Sequence, residues 1–259
     1  MSVLKADHIS IQFGGLRAVN NFSLEMNEKE LFAIIGPNGA GKTTVFNMLT
    51  GLYQPTEGAV YVNEKLMTNC KPYQFTEAGL ARTFQNIRLF GQATVLDNVK
   101  MAQTFRTNYS YYNMLTRTGK YYEEEKRITE RSMELLEMFD LQDKRNYFAS
   151  NLPYGEQRKL EIVRALATDP KVILLDEPAA GMNPNEIEDV ISLIRRVREE
   201  LGKAILIIEH HMKMVMSIAE YIKVLDFGET ISEGVPEVVQ NDPKVIEAYL
   251  GVHVNDSRG

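Results

Sequence analysis

Nine residues, "GPNGAGKTT" at 36–44, carry the clearest chemistry in this sequence. Gly36 is followed by four residues, Pro37, Asn38, Gly39 and Ala40, and then by Gly41, Lys42, Thr43 and Thr44. This is the G-x-x-x-x-G-K-[ST] spacing of a phosphate grip. Its glycines let backbone N–H groups curl around phosphate oxygens, and a helix starting there adds partial positive charge. Lys42 is a point charge for the terminal phosphates, and the Thr43 hydroxyl suits Mg²⁺. At average composition the pattern arises by chance in about 1% of chains this long. A second stretch, "VILLDEP", ends four apolar residues with Asp176 and Glu177. Asp176 is expected to hold the metal through water, at the C-terminal end of a strand, where ligands sit in open α/β sheets. Adjacent carboxylates of an extended chain face different ways, which leaves Glu177 to orient a water for in-line attack.

Both stretches need strands to carry them, and the sequence supplies those. "LFAIIG" and "VILLD" are solid apolar runs that read as buried strands, and a helical pattern follows the first between about 41 and 50. Upstream, "VLKADHISIQF" partly alternates, and "AVNNFSLEM" follows a Gly14-Gly15 turn; "GAVYVN" at 58–63 is again strand-like. Residues 95–103 and 123–139 read as helices, the second with apolar Ile128, Met133, Leu136 and Met138. From 171 strands alternate with helices: "VILLD", a helix from Asn185 to Leu201, "AILIIE", a helix after His211, and "YIKVLD". In the first of these helices Ile187, Val190, Ile191, Ile194, Val197 and Leu201 form one apolar stripe, expected to be core. Apolar strands alternating with such helices imply a buried parallel sheet, interrupted by a helical block.

Composition excludes several classes. The 259 residues are 44% hydrophobic and 25% charged, enough for a globular enzyme. A formal net charge of −6 argues against a nucleic-acid partner, which a basic surface would bind. Cys70 is the only cysteine, so no internal disulfide or thiolate metal cage can form, and a reducing compartment is expected. No apolar run approaches the ~18 to 20 residues of a membrane helix, and "MSVLKADHIS" does not resemble a signal peptide. The expected location is the cytoplasm.

Together these residues read as a P-loop nucleoside triphosphatase, and four further stretches narrow the class. "TFQN" places Gln85 ahead of the helical block, and "LPYGEQRKLEIVRAL" closes that block. "DEPAAGMNP" follows the carboxylates, and "ILIIEHH" brings His210 to the end of the next strand. In this order and spacing they resemble the Q-loop, signature, D-loop and H-loop of ATP-binding cassette (ABC) ATPases over nearly the whole chain. The resemblance implies an α/β fold, a P-loop NTPase of ABC type forming a single nucleotide-binding domain over 1–259. Its parts are a mainly parallel sheet core, an N-terminal antiparallel β subdomain, and an inserted α-helical subdomain at 87–165 containing the signature. The stretches "FGGLRAVNNFSLEM", "ARTFQNIRLFGQATVLDNV", "YGEQRKLEIVRALATDPKVILLDEPAAGMNPNE" and "DPKVIEAYLG" are similar to ATPase subunits of branched-chain amino acid importers. Importers of urea or short amides share several of them.

Under this resemblance the ligands are ATP and Mg²⁺. Gln85 contacts Mg²⁺ or the attacking water while its loop touches a partner, and His210 donates to the γ-phosphate. Phe13, in "ISIQFGG", stacks on adenine; an ordinary core phenylalanine is the competing reading. His8 and His253 are read as structural, and His211 has no assigned role. The D-loop comprises Gly181, Met182 and Asn183, with asparagine where the family usually has aspartate. The signature residues Pro153, Tyr154, Gly155 and Glu156 close over nucleotide held by a second ABC ATPase subunit, in a homodimer or heterodimer. Leu152–Glu156 aligns with L-S-G-G-Q, so Pro153 replaces a serine and Tyr154 a glycine. Proline fits a helix's first turn but cannot donate to phosphate, which leaves backbone amides such as those of Gly155 and Glu156. Two integral membrane permease subunits and an extracytoplasmic solute-binding protein complete the importer, with this chain held peripherally at the inner membrane face. The stretch "TNYSYYNMLTRTGKYYEEE", with Tyr109, Tyr111, Tyr112, Tyr121 and Tyr122, is either a docking surface for the permeases or an insertion packed on its own domain. Two other classes stay open: a soluble ABC ATPase, usually with two cassettes or a coiled-coil insertion, and a non-hydrolytic scaffold.

Overall fold

The computed structural model describes residues 1–107 and 119–250 and divides the chain into two units, Met1–Arg82 with the chain from Lys171 onward, and Thr83–Pro170. In the first unit, β1 (Ser2–Phe13) and β2 (Leu16–Asn27) pair antiparallel across the Gly14-Gly15 turn, with Phe13 opposite Leu16. β4 (Glu57–Val62) and β5 (Lys65–Leu66) extend this to a four-stranded antiparallel sheet in the order β2-β1-β4-β5. The alternation of β1 is broken at His8, whose φ of +53° accompanies a shift of register.

The second sheet has the order β10-β9-β3-β8-β7-β6. It comprises β3 (Leu31–Ile35), β6 (Leu80–Arg82), β7 (Val172–Asp176), β8 (Ala204–Ile208), β9 (Tyr221–Asp226) and β10 (Glu229–Gly234). Every pairing is parallel except β9 with β10. All five residues of β7 and of β8 are buried, as expected of central strands covered on both faces. Phe22, Phe46, Ile34 and Leu206 lie in one cluster that joins residues of both sheets and of α1 (Lys42–Leu49). The unit also contains α2 (Pro72–Glu77), α6 (Pro184–Leu201), α7 (Met212–Ile218), α8 (Pro236–Gln240) and α9 (Pro243–Leu250).

α6 begins one residue earlier than the expected Asn185. Pro184 takes its first position, and Asn183 caps it by accepting from the N–H groups of Asn185 (3.0 Å) and Glu186 (3.1 Å). The oxygen that the sequence assigns to the D-loop thus satisfies a helix terminus. The buried stripe is Val190, Ile191, Leu193, Ile194 and Val197, while Ile187 and Leu201 are only partly buried.

In the second unit α3 (Val95–Met101), α4 (Gly119–Met138) and α5 (Tyr154–Leu166) pack on one another. The buried face of α4 is Ile128, Ser132, Leu135 and Leu136, rather than one containing Met133 and Met138. Ser132 is tolerated there because it donates to the Ile128 carbonyl (2.7 Å) and accepts from Gln103 Nε2 (2.8 Å). Within the Tyr-rich stretch, Tyr109, Tyr111 and Tyr112 lie outside the described residues, as does His253 near the C-terminus. Tyr121 and Tyr122 meet edge-to-face on α4, with ring centroids 5.4 Å apart. Among the described residues no helix is long and apolar enough to cross a membrane.

Candidate nucleotide site

The phosphate loop leaves the end of β3 at Gly36, whose φ is +148°. A Cβ there would lie 2.0 Å from the Leu225 carbonyl oxygen of β9, so only glycine fits between loop and sheet. Gly41, at φ +102°, caps α1 in the left-handed region. Ala40 is buried, donates to the Pro37 carbonyl (3.2 Å) and accepts from Gly228 N–H (3.0 Å), which fixes the loop at its centre. Asn38, Gly39 and Thr43 are exposed, Pro37 and Thr44 partly so. Lys42 is 6% exposed, and its Nζ donates to the carbonyls of Gly36 (2.7 Å) and Pro37 (2.8 Å). Burial pushes the Lys42 pKa down, while the carboxylates of Glu177 and Asp176 pull it up.

Those carboxylates stand at the end of β7, beside the end of β8. Asp176 is buried, and its Oδ2 accepts from Arg82 Nη2 at 2.7 Å. The same guanidinium donates through Nη1 to Asn47 Oδ1 (2.7 Å) and Thr50 Oγ1 (3.2 Å) of the α1 segment. Glu177 diverges from Asp176, but not by the alternation of an extended chain. Its φ is +49°, and its N–H donates to the Ile208 carbonyl at 2.9 Å, so a left-handed residue turns the side chain away. Glu177 Oε1 lies 2.7 Å from His210 Nε2, which joins two residues picked separately from the sequence.

His210 is held by a residue that sequence reasoning passed over. Glu209 follows β8, is 1% exposed, and accepts at Oε1 from Ala179 N–H (2.9 Å). Its Oε2 accepts from the N–H groups of His210 (2.9 Å) and His211 (3.2 Å) and lies 3.1 Å from His211 Nδ1. The unassigned His211 therefore belongs to the same carboxylate. Gly181, at φ +75°, and Asn183 are exposed beyond this turn, and Met182 is partly buried. Phe13 is 46% exposed and meets Tyr53 edge-to-face at 5.3 Å, so it is not a core residue.

The remaining sequence-selected residues lie in the other unit. Gln85 has an exposed side chain and a backbone carbonyl that accepts from Arg158. Pro153 is the residue before α5, with φ −54° and ψ 153°, and so stands at the N-cap rather than inside the first turn. Tyr154 is exposed; Gly155 and Glu156 are partly buried, and Glu156 Oε2 accepts from Lys144 Nζ at 2.6 Å.

Arg82 and Glu209 are the site residues that no sequence motif marks. Each had one available signal: an acid closing an all-apolar strand must find a partner or donors when it is buried. Among the described residues no three His, Cys, Asp or Glu side chains form a metal cage. Mg²⁺ commonly takes one or two carboxylates plus phosphate oxygens and keeps several waters, which the exposed Thr43 hydroxyl and Asp176 fit.

Fold and site define a P-loop nucleotide-binding domain. A family model described as ABC transporter matches residues 19–180, and one described as branched-chain amino acid ATP-binding cassette transporter matches 229–255. The chain is 43% identical over 96% of its length and 98% of the relative's to a high-affinity branched-chain amino acid transport ATP-binding protein, LivG, of Salmonella typhimurium. It is also similar to a nucleotide-free ATP-binding cassette from an ABC transporter, with TM-score 0.83 and 33% identity, covering 97% of this chain and 100% of that one. A dimeric cassette in a post-hydrolysis state, bound to ADP and Pi, is similar with TM-score 0.75 and 26% identity over 90% and 98% of the two chains. The chain belongs to the ABC transporter family.

Proposed function

We propose that this chain binds and hydrolyses ATP as a subunit of an importer of branched-chain amino acids, held at the inner face of the membrane by two permease subunits and served by an extracytoplasmic solute-binding protein. The observation that carries hydrolysis is the 2.7 Å contact between Glu177 and His210 beside the phosphate loop. In this reading residues 36–44 bind the phosphates, and Phe13 offers a face to adenine. Mg²⁺, held by Thr43, by Gln85 and through water by Asp176, would neutralise charge on the phosphate oxygens. Glu177 accepts a proton from the attacking water, and His210 steadies Glu177 and donates to the γ-phosphate. Gln85 reports the presence of that phosphate to the rest of its unit.

A second ABC ATPase completes the site, because Pro153–Glu156 serve nucleotide held by the partner. The likeness to a dimeric cassette supports this arrangement. Exposed Phe90, Tyr147 and Phe148 in the helical unit support docking to the permeases, since exposed aromatics favour interfaces.

Pro153→Ser tests the signature. Serine is a far better N-cap, so the variant is expected to gain about 1 kcal/mol of stability. If a hydroxyl is what the partner's nucleotide lacks, the KM for ATP in the assembled transporter should also fall several-fold. A stability gain with unchanged KM would mean that backbone amides alone make this contact.

The solute is tested in proteoliposomes containing the permeases encoded beside this chain. Leucine with its binding protein should stimulate phosphate release. Stimulation by urea or a short amide, with none by leucine, would overturn the solute assignment and keep the ATPase.

A further inference from the structure

The helical unit buries an ion pair that none of the roles above uses. Arg158 and Glu161 sit one turn apart on α5, are 2% and 3% exposed, and meet at 3.1 Å. An apolar pair of similar volume commonly stabilises a core as well or better, so a buried ion pair has to be explained by what else it contacts.

Here it contacts the backbone around Gln85. Arg158 Nη1 donates to the Phe84 carbonyl at 2.6 Å, and Nη2 donates to the Gln85 carbonyl. Glu161 Oε1 accepts from the N–H groups of Phe84 (3.3 Å) and Arg88 (3.4 Å). Two charged side chains of one helix therefore hold two carbonyls and two amides of the segment 84–88. The planar fork of arginine makes the two carbonyl contacts specific in geometry, which an ammonium would not. Farther along, the fully buried Asn98 accepts from Phe90 N–H (2.9 Å) and donates to the carbonyls of Phe90 (3.1 Å) and Thr94 (3.0 Å). Residues 84–94 are thus fastened repeatedly to their own helical unit. Arg158 also lies one turn into α5 from Tyr154, with its guanidinium carbon 5.7 Å from that ring's centroid.

We propose that Arg158 and Glu161 are positioning residues that fasten the Gln85 backbone to the start of α5, so that Gln85 and Pro153–Glu156 move as one piece. The proposal rests on the functional reading above, in which Gln85 attends this subunit's nucleotide and the α5 start attends the partner's. The state of one nucleotide is then felt mechanically at the other.

The test is the double substitution Arg158→Met with Glu161→Met in the assembled transporter. It roughly keeps the volume and leaves no buried charge unpaired, so it should fold, with a melting temperature lowered by the lost backbone contacts; Glu161→Met alone also strands the Arg158 charge and should melt lower still. In the double variant the Phe84 and Arg88 amides should exchange with deuterium at least about tenfold faster. In the wild type, ATP should slow exchange at 84–88 and at 152–157 together; in the double variant the second response should shrink several-fold, to what direct contact with the partner's ATP supplies. Turnover should rise with ATP cooperatively in the wild type, with a Hill coefficient falling toward about 1 in the double variant. A wild type in which ATP slows exchange at only one of the two segments, or a double variant that keeps the exchange response and the cooperativity at wild-type size, overturns the proposal. Exchange is read without hydrolysis and cooperativity without leucine, so failure of the solute assignment or of catalysis is distinguishable from failure of the clamp.

Discussion

Glu177→Gln is expected to leave ATP bound and to lower phosphate release by at least about 100-fold, within the range a general base commonly contributes. Glutamine preserves the length of the side chain and an oxygen facing His210 Nε2, now 2.7 Å away, so the turn and its hydrogen bonds should survive. What disappears is the capacity to take a proton from water. Gly36, Gly41 and Lys42, which shape the phosphate loop, are untouched, so equilibrium binding of a fluorescent ATP analogue should stay within about threefold of wild type. Bound ATP should persist in the assembled transporter. His210→Ala should lower turnover as well, through loss of a donor and of the contact that steadies Glu177. Wild-type turnover in Glu177→Gln would remove this carboxylate from the chemistry and leave the non-hydrolytic scaffold as the better reading.

Glu209→Ala is the second large effect, and it acts mainly on stability. The carboxylate is buried and accepts from three backbone N–H groups, those of Ala179, His210 and His211. Alanine leaves these donors without their acceptor, at a cost on the order of 3 kcal/mol for the set. Urea unfolding of the isolated subunit should show this as a lower midpoint with an unchanged slope. Because the same carboxylate fixes the backbone of His210, turnover should fall about tenfold or more even where the variant remains folded. Glu209→Gln separates the two roles: it keeps an acceptor for Ala179 but turns an amide toward the other two N–H groups. Its stability should be intermediate and its turnover close to that of the alanine variant. A Glu209→Ala protein with wild-type midpoint and turnover would show that solvent replaces this carboxylate without loss.

What the sequence discloses follows how local each requirement is. The phosphate loop is legible because glycine at 36 and 41, lysine at 42 and threonine at 43 serve one short turn between a strand and a helix. β7 and β8 are legible because central parallel strands must be apolar throughout. Arg82 is 94 positions from Asp176 and Arg158 is 73 from Gln85, so no pattern within either segment marks the pairing. Ser132 hides for the opposite reason. An apolar stripe is drawn by leaving polar residues out, and only the contact with Gln103 makes a serine suitable for the interior. Pro153 reads as an odd residue in the first turn of a helix, but its extended ψ of 153° places it just before that turn.

The left-handed backbone of Glu177 has a cost that bears on engineering. A non-glycine residue in this region is destabilised by roughly 1–2 kcal/mol, and Glu177 sits there at φ +49° beside the phosphate loop. A directed search for thermostable variants would therefore favour glycine or asparagine at 177, because both relax the turn. Either would discard the carboxylate that the turn presents. With Glu177 in the proposed catalytic role, heat tolerance and turnover are opposed at one backbone angle, and a selection on melting temperature alone would gradually yield an inert nucleotide holder.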